Sequence, residues 1–146
     1  MDLVAGDEFL PFVGPSAFAA GAGRADKELI RVTRYLISFD EGAMTFPEEE
    51  LPAVADDVHA VVHEAMDAGV WVSGGGLFPH EELSVVATDG TVTDAPYPEG
   101  KAYIAGFSIV DGSSRAESFE WAGKFAVACR CAQDVREFLP DPALGN

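Results

Sequence analysis

Residues 31–72, RVTRYLISFDEGAMTFPEEELPAVADDVHAVVHEAMDAGVWV, decide the fold, because their hydrophobic pattern changes from strand to helix and back. Arg31 to Phe39 is rich in β-branched and aromatic residues, which predicts a strand. From Leu51 to Met66, apolar residues recur every three or four positions, which predicts an amphipathic helix. Gly69 predicts the end of this helix, and Val70–Val72 begin a second strand.

A hairpin and a second strand–helix–strand unit follow along the chain. Asp89–Gly90 separates two short β-rich runs, and an Asp-Gly pair in that setting predicts a hairpin turn. Residues 103–110 predict a strand, and Ser114 and Glu117 have the spacing of a helix capping box. Residues 133–139 predict the last strand. The apolar side predicted for the second helix consists of Ala116, Phe119, Ala122, Gly123 and Ala126.

The order of these elements predicts the fold class. Over residues 29–146 it gives a two-layer α+β domain with a mostly antiparallel sheet. Right-handed crossovers place both helices on one face of that sheet. The opposite face is then bare, and because a bare apolar face commonly pairs with a second copy, we expect a homodimer. The apolar side chains that exceed the needs of one helical layer are Ile37, Phe39, Phe107 and Ile109.

The acidic composition narrows the possible partners. Nine basic residues stand against 25 acidic ones, for a formal net charge of −16. Phosphate backbones and anionic membranes attract basic proteins, so we expect binding to neither nucleic acid nor membrane. No apolar run reaches the ~20 residues of a membrane-spanning helix, and Asp2, Asp7 and Glu8 stand where a signal peptide carries positive charge. We therefore expect a cytoplasmic protein.

The two cysteines support the same compartment. Cys129 and Cys131 are separated by one residue, which is too close for an unstrained disulfide. Two thiols alone do not complete a zinc site. We expect small apolar side chains that share one face of a strand in a reducing environment.

Residues 1–28 form an extension with a pattern of its own. Proline and glycine interrupt every helical or strand period in it. The segment is either flexible or packs over the domain or its partner, and we favour packing because exposed large apolar groups promote aggregation. Its large apolar residues are Phe9, Leu10, Phe12, Val13 and Phe18.

Several short motifs occur together in a recognisable order. The most informative is Thr93–Lys101, TDAPYPEGK, which follows GGGLFP at residues 74–79. Gly106–Phe107 and then Glu120–Trp121–Ala122 come after it. Together these motifs resemble the YCII-related family, in its DGPF branch, over about residues 33 to 140.

The resemblance implies a ferredoxin-like α+β fold that dimerises through its sheets into a barrel. Most members of this family have no assigned function, some stand beside or are fused to alternative sigma factors, and a related branch includes a dehydrochlorinating lyase. This chain departs from the motif at Ala95, which replaces glycine, at Tyr97, which replaces phenylalanine, and at Ala102, which replaces a glutamate. Three charged residues of the motif are retained: Asp94, Glu99 and Lys101.

The loop of this motif carries candidate site residues. Asp94 is either an Asx-turn residue that stiffens the loop or a base at the mouth of a cleft. Glu99 and Lys101 are either a surface ion pair or substrate-binding residues, with Lys101 holding an anionic substrate near Asp94. Tyr97 adds a hydroxyl group to the same loop.

The three histidines are the other candidates. His59 and His63 lie four residues apart on one helix face, but further zinc ligands are missing from the pattern, so we expect a solvated face and no metal. His59 lies at the border of the apolar arc and is a candidate acid or base; the YCII branch places a histidine near this position. His80 we interpret as a turn residue with acidic neighbours. Residues 74–76 lack the lysine and helix start of a phosphate loop, so no cofactor is expected.

Two functional hypotheses follow from these residues. The first, which the sequence favours, is a regulatory or accessory homodimer that binds a small molecule or a protein partner. The second is a cofactor-free lyase or isomerase that acts on a small anionic substrate, with Asp94 or His59 transferring the proton and Lys101 binding the anion.

Overall fold

The computed structural model of the chain describes residues 32–94 and 102–146. The predicted order of strands and helices is confirmed within these residues, and the architecture is α+β with two helices and an antiparallel sheet. Short 3-10 turns precede the first helix, follow the second strand and lie near the C-terminus. The elements are β1 (Thr33–Asp40), α1 (Leu51–Asp67), β2 (Trp71–Gly76), β3 (Ser84–Val86), β4 (Val92–Asp94), β5 (Ile104–Gly112), α2 (Arg115–Cys129) and β6 (Asp134–Glu137).

The strands form two sheets, where the sequence predicted one. The main sheet has the order β2-β5-β1-β6, and every neighbouring pair is antiparallel. β3 and β4 form a separate two-stranded sheet around the predicted Asp89–Gly90 turn, where Gly90 has a φ of +90°. These strands have three residues each and pair with each other.

Both helices end in the same hydrogen-bonded motif. At the end of α1, the Val70 N–H donates to the Ala65 carbonyl and the Gly69 N–H to the Met66 carbonyl, with Gly69 left-handed at φ +77°. This is a Schellman motif, so the predicted role of Gly69 is confirmed. The same pair of bonds ends α2, but the left-handed residue is Arg130, at φ 62°.

The start of α2 is confirmed as a capping structure, with one change of partner. The Ser114 side chain accepts a hydrogen bond from the Glu117 N–H at 3.1 Å. The Glu117 carboxylate accepts from the N–H and hydroxyl of Ser113 rather than from Ser114. These bonds from Ser113 lower the pKa of Glu117.

One core lies between the helices and one face of the main sheet. Tyr35, Ile37 and Val110 contribute from the sheet, and they pack against Ala65 of α1 and Phe125 of α2. Both helices therefore cover the same face, as predicted. The core also contains Trp121 and Ala122, and it is extended by Val58, Val61, Val62, Val70, Trp71 and Val135.

The predicted apolar side of α2 is wrong except at Ala122, which is buried in the core. Phe119 is 48% exposed and Gly123 is also exposed, whereas Trp121 and Phe125 are buried. The helix is apolar around most of its circumference, so spacing alone did not distinguish its inner face. Trp121 and Phe125 pack against the sheet, whereas Phe119 faces outward. Its buried residues are Ser118, Trp121, Ala122, Phe125, Ala128 and Cys129.

The prediction that Ile37, Phe39, Phe107 and Ile109 supply the apolar side chains of the bare sheet face is also corrected. Ile37 pairs with Ser108 in the register of β1 and β5, so it points to the same face as Ser108 and away from Phe107 and Ile109. Ile37 is fully buried under the helices, and Phe39, two residues further along β1, lies on the same face. The opposite face carries Leu36, which pairs with Ile109, and Phe107. All three are half-buried side chains.

A polar pair closes one end of this opposite face. Arg34 donates two hydrogen bonds to Asp111 on the paired strand, at 2.7 and 3.0 Å. Its third nitrogen donates to Asn146 at the C-terminus. The bond to Asp111 raises the pKa of Arg34.

The cysteines are free, but they do not lie on a strand as predicted. Cys129 is the last residue of α2, and Cys131 follows the left-handed Arg130. Cys129 is buried, and burial raises the pKa of its thiol to about 11. No helix within the described residues is long and apolar enough to cross a membrane.

Candidate functional site

Three chain segments meet at one edge of the main sheet. β1 and β2 are each antiparallel to β5, so both run in the same direction on either side of it. The ends of β1 and β2 therefore lie at the edge where β5 begins. Glu41 follows β1, His80 follows β2 and Tyr103 precedes β5.

The Glu41 carboxylate holds His80 at two points. Its Oε1 lies 2.7 Å from the His80 Nδ1, and its Oε2 accepts the backbone N–H of His80, also at 2.7 Å. Both side chains retain about a quarter of their exposure to solvent. The carboxylate thus fixes the ring and the backbone of one histidine, although 39 residues separate the two in sequence.

Tyr103 completes the support of this pair. Its ring stacks on the His80 imidazole with 4.5 Å between centroids and an angle of 6° between planes. Its carbonyl accepts the Glu41 N–H at 2.8 Å. Tyr103 therefore positions the imidazole through its ring and the carboxylate through its backbone.

The geometry assigns different roles to the two imidazole nitrogens. A carboxylate only accepts hydrogen bonds, so the Nδ1 that faces Glu41 carries a proton. In the neutral ring, Nε2 is then the acceptor nitrogen. The Glu81 carboxylate, which is 71% exposed, lies 3.7 Å from Nε2, so each ring nitrogen faces a carboxylate. A histidine that a carboxylate orients in this way has the chemistry to act as an acid or a base.

The sequence-predicted site residues are distributed differently. Asp94 is exposed at the end of β4, and its Oδ1 accepts a hydrogen bond from the Ser84 hydroxyl at 2.7 Å. His59 is exposed on α1. Tyr97, Glu99 and Lys101 lie outside the described residues.

The helical histidines show no metal cage. His59 and His63 are both exposed on α1. Across residues 32–94 and 102–146, no three histidine, cysteine, aspartate or glutamate side chains are grouped closely enough to hold a metal ion. The thiol of Cys129 is also unsuited to nucleophilic attack at neutral pH, because the reactive form is the thiolate and burial disfavours it.

The Glu41–His80 pair was not predicted from the sequence, which indicated only a turn residue at His80. His80 does begin a 3-10 turn, His80–Glu82, so that interpretation is correct for the backbone. The available signal was topological: Glu41 and His80 each follow a strand whose end lies at the same sheet edge. The predicted strand–helix–strand order already implied that edge.

Comparison of the chain with models of known protein families and with curated proteins finds no match to either. The likeness to the YCII-related family therefore stays a prediction from the motifs around Thr93–Lys101.

Proposed function

We propose that this domain binds a small organic anion beside the Glu41–His80 pair and that His80 transfers a proton on the bound molecule. The observation that carries the proposal is the double contact of Glu41 with the ring and backbone of His80. A histidine whose Nδ1 is fixed by a carboxylate has its Nε2 lone pair oriented for proton abstraction. This assigns the acid–base role to His80 rather than to Asp94 or His59.

The preference for an anion rests on the distribution of positive charge. Lys101 is the only lysine or arginine between Arg34 and Arg115. It stands two residues before Tyr103, and chain connectivity keeps the two Cα atoms within about 8 Å. We therefore propose Lys101 as the group that holds one small negative group, since the net charge of −16 otherwise repels anions.

The proposed chemistry needs no cofactor. Nε2 forms an N–H bond with a proton taken from a carbon next to a carbonyl group. The C–H electron pair stays on the substrate as an enolate, whose charge Lys101 stabilises. Return of the proton to another carbon gives an isomerisation, and loss of a leaving anion gives an elimination. Both outcomes belong to the lyase or isomerase hypothesis.

Proton exchange in D₂O tests this proposal with small carbon acids as probes. The full-length protein is incubated with pyruvate, 2-oxobutyrate or acetoacetate, and loss of the α-proton signals is followed by NMR. We expect exchange of at least one probe above the buffer rate, reduced by ~10²-fold or more in His80→Gln. Lys101→Met raises the KM, and His63→Gln, an exposed control on α1, leaves the rate unchanged. Exchange at the buffer rate for every probe, or wild-type exchange by His80→Gln, contradicts the proposal.

A regulatory binding domain is the second candidate function. One observation favours it: the Glu41 carboxylate also anchors the backbone at His80, so the pair orders a loop as well as an imidazole. In the same spectra, a probe that shifts the His80 signals without exchanging its protons supports this role and argues against catalysis.

We also propose a ferredoxin-like fold that pairs into a dimeric barrel. The four strands of the main sheet, taken in chain order, are arranged second, third, first and fourth, which supports that fold. Leu36, Phe107 and Ile109 lie on the face opposite the helices, and they supply an apolar surface for a second copy. Sedimentation of the full chain at twice its mass of 15.4 kDa is expected, and a monomer that persists at high concentration contradicts it.

A further inference from the structure

An apolar groove lies between α2 and the edge strand β6. Phe119 and Gly123 of α2 line one side, and Val135 of β6 lies on the other. Phe119 is 48% exposed, and nothing lies within 4 Å of the position that a Cβ on Gly123 would take. The Arg115 guanidinium lies 5.0 Å from the Phe119 ring centroid. The remaining lining residues are Ala122, Ala126, Ala132, Gln133, Asp134 and Arg136.

We infer that residues 9–23 of the same chain occupy this groove. Their sequence, FLPFVGPSAFAAGAG, is the longest stretch of the chain without an ionisable side chain. It combines large apolar groups at Phe9, Phe12 and Phe18 with alanine and glycine. An uncharged apolar segment matches a groove floored by Phe119, Gly123 and alanines, because burial of both surfaces removes apolar area from water.

The segment joins the domain at β1, which is the strand next to β6 and so lies close to the groove. Residue 32 leads directly into β1, and β1 pairs with β6. The Phe138 N–H donates to the Arg34 carbonyl at 2.8 Å, so the start of β1 lies beside the end of β6. From Thr33 to Ser38, which pairs with Asp134, β1 advances by roughly 17 Å. The 14 Cα–Cα steps from Phe18 to Val32 span up to ~46 Å, which is ample for the segment to return along β6.

Attachment to the same chain favours this occupant over a separate molecule. A tethered segment meets its site at an effective concentration in the millimolar range, which a free partner rarely reaches. β6 pairs only with β1 among the described strands, so its outer edge presents backbone N–H and C=O groups. This inference is independent of the Glu41–His80 site.

Photo-crosslinking in the full-length protein tests the inference. Phe119 is replaced by p-benzoylphenylalanine, and a matched variant carries the same group at Leu51, which is 53% exposed on α1. A mixture of ¹⁴N- and ¹⁵N-labelled chains separates crosslinks within a chain from those between chains. Circular dichroism and the melting temperature verify that both variants fold.

The expected product is a crosslink within one chain from position 119 to residues 9–23, which the Leu51 variant does not form. Substitution of serine for Phe9, Phe12 and Phe18 together reduces its yield at least fivefold. Crosslinks from position 119 to a second chain, to other parts of the same chain, or to nothing but solvent overturn the inference. A yield that the three serine substitutions leave unchanged overturns it as well.

Discussion

At the scale of single residues, Cys129 combines a thiol with almost complete burial. It is 5% exposed at the end of α2, and desolvation raises its pKa to about 11 from an ordinary 9.0. The neutral thiol is thus favoured in the fold. The unfolded chain releases this proton at lower pH, so the stability contributed by Cys129 is complete below pH 9 and is lost as the pH rises toward 11.

Alkylation measures this effect. At pH 8 we expect iodoacetamide to modify Cys129 at least ~100-fold more slowly in the folded protein than in urea, because thiolate is the reacting species. Substitution of Cys131 by serine leaves Cys129 as the sole thiol and makes the rate specific to it. Similar rates in the folded and unfolded protein would contradict the burial of this side chain.

Two residues, Ser114 and His80, show which side-chain contacts a sequence pattern predicts and which it does not. Ser114 was predicted correctly as a helix cap, because its partner Glu117 lies three residues away and the contact is local. His80 was misjudged because its partner Glu41 lies 39 residues upstream. Local hydrogen bonds follow from spacing, whereas a contact across strands requires the topology.

At the scale of elements, the two helices end in the same motif with different residues. Gly69 adopts its left-handed conformation without a Cβ, whereas Arg130 adopts it with a full side chain. The Arg130 guanidinium compensates in part, since it donates to the Ala128 carbonyl at 2.6 Å and pairs with Asp57 at 3.0 Å. The second helix therefore retains backbone strain of about 1 kcal/mol.

Three variants separate the backbone strain from the ion pair. Gly69→Ala introduces left-handed strain and is expected to cost about 1 kcal/mol of unfolding free energy. Arg130→Ala and Arg130→Gly both remove the pair with Asp57, but only the glycine relieves the strain. We expect Arg130→Gly to be the more stable of the two by about 1 kcal/mol in urea unfolding. Equal stability of these two variants would contradict the account.

The buried face was predicted correctly for the helix with one apolar stripe and incorrectly for the helix with apolar residues on several sides. The helix pattern of residues 51–66 has one apolar stripe, and its inward side chains Val54 and Ala65 are buried as expected. α2 is apolar on several sides, and of the face predicted from spacing only Ala122 belongs to the core. Size alone does not identify the buried face either, since Phe125 is 2% exposed and Phe119, the same residue type, is 48% exposed.

At the scale of the whole molecule, the strand order creates the candidate site. β5 lies between β1 and β2, so segments from three parts of the chain converge at one edge. The sequence correctly predicted the order of elements and the single helical layer. It misassigned the sheet faces, because Ile37 and Phe107 are both apolar and only the register shows that they point to opposite sides.

The proposed acid–base site depends on Glu41 fixing the protonation of the His80 ring. Long-range ¹H–¹⁵N correlation spectra of the full-length protein with ¹⁵N-labelled histidine measure this directly, and the exposed His59 and His63 serve as internal references. We predict that neutral His80 carries its proton on Nδ1 and that Glu41→Ala abolishes this preference. A His80 ring protonated on Nε2 in the wild-type protein, or one whose tautomer is unchanged in Glu41→Ala, would contradict the proposed acid–base site.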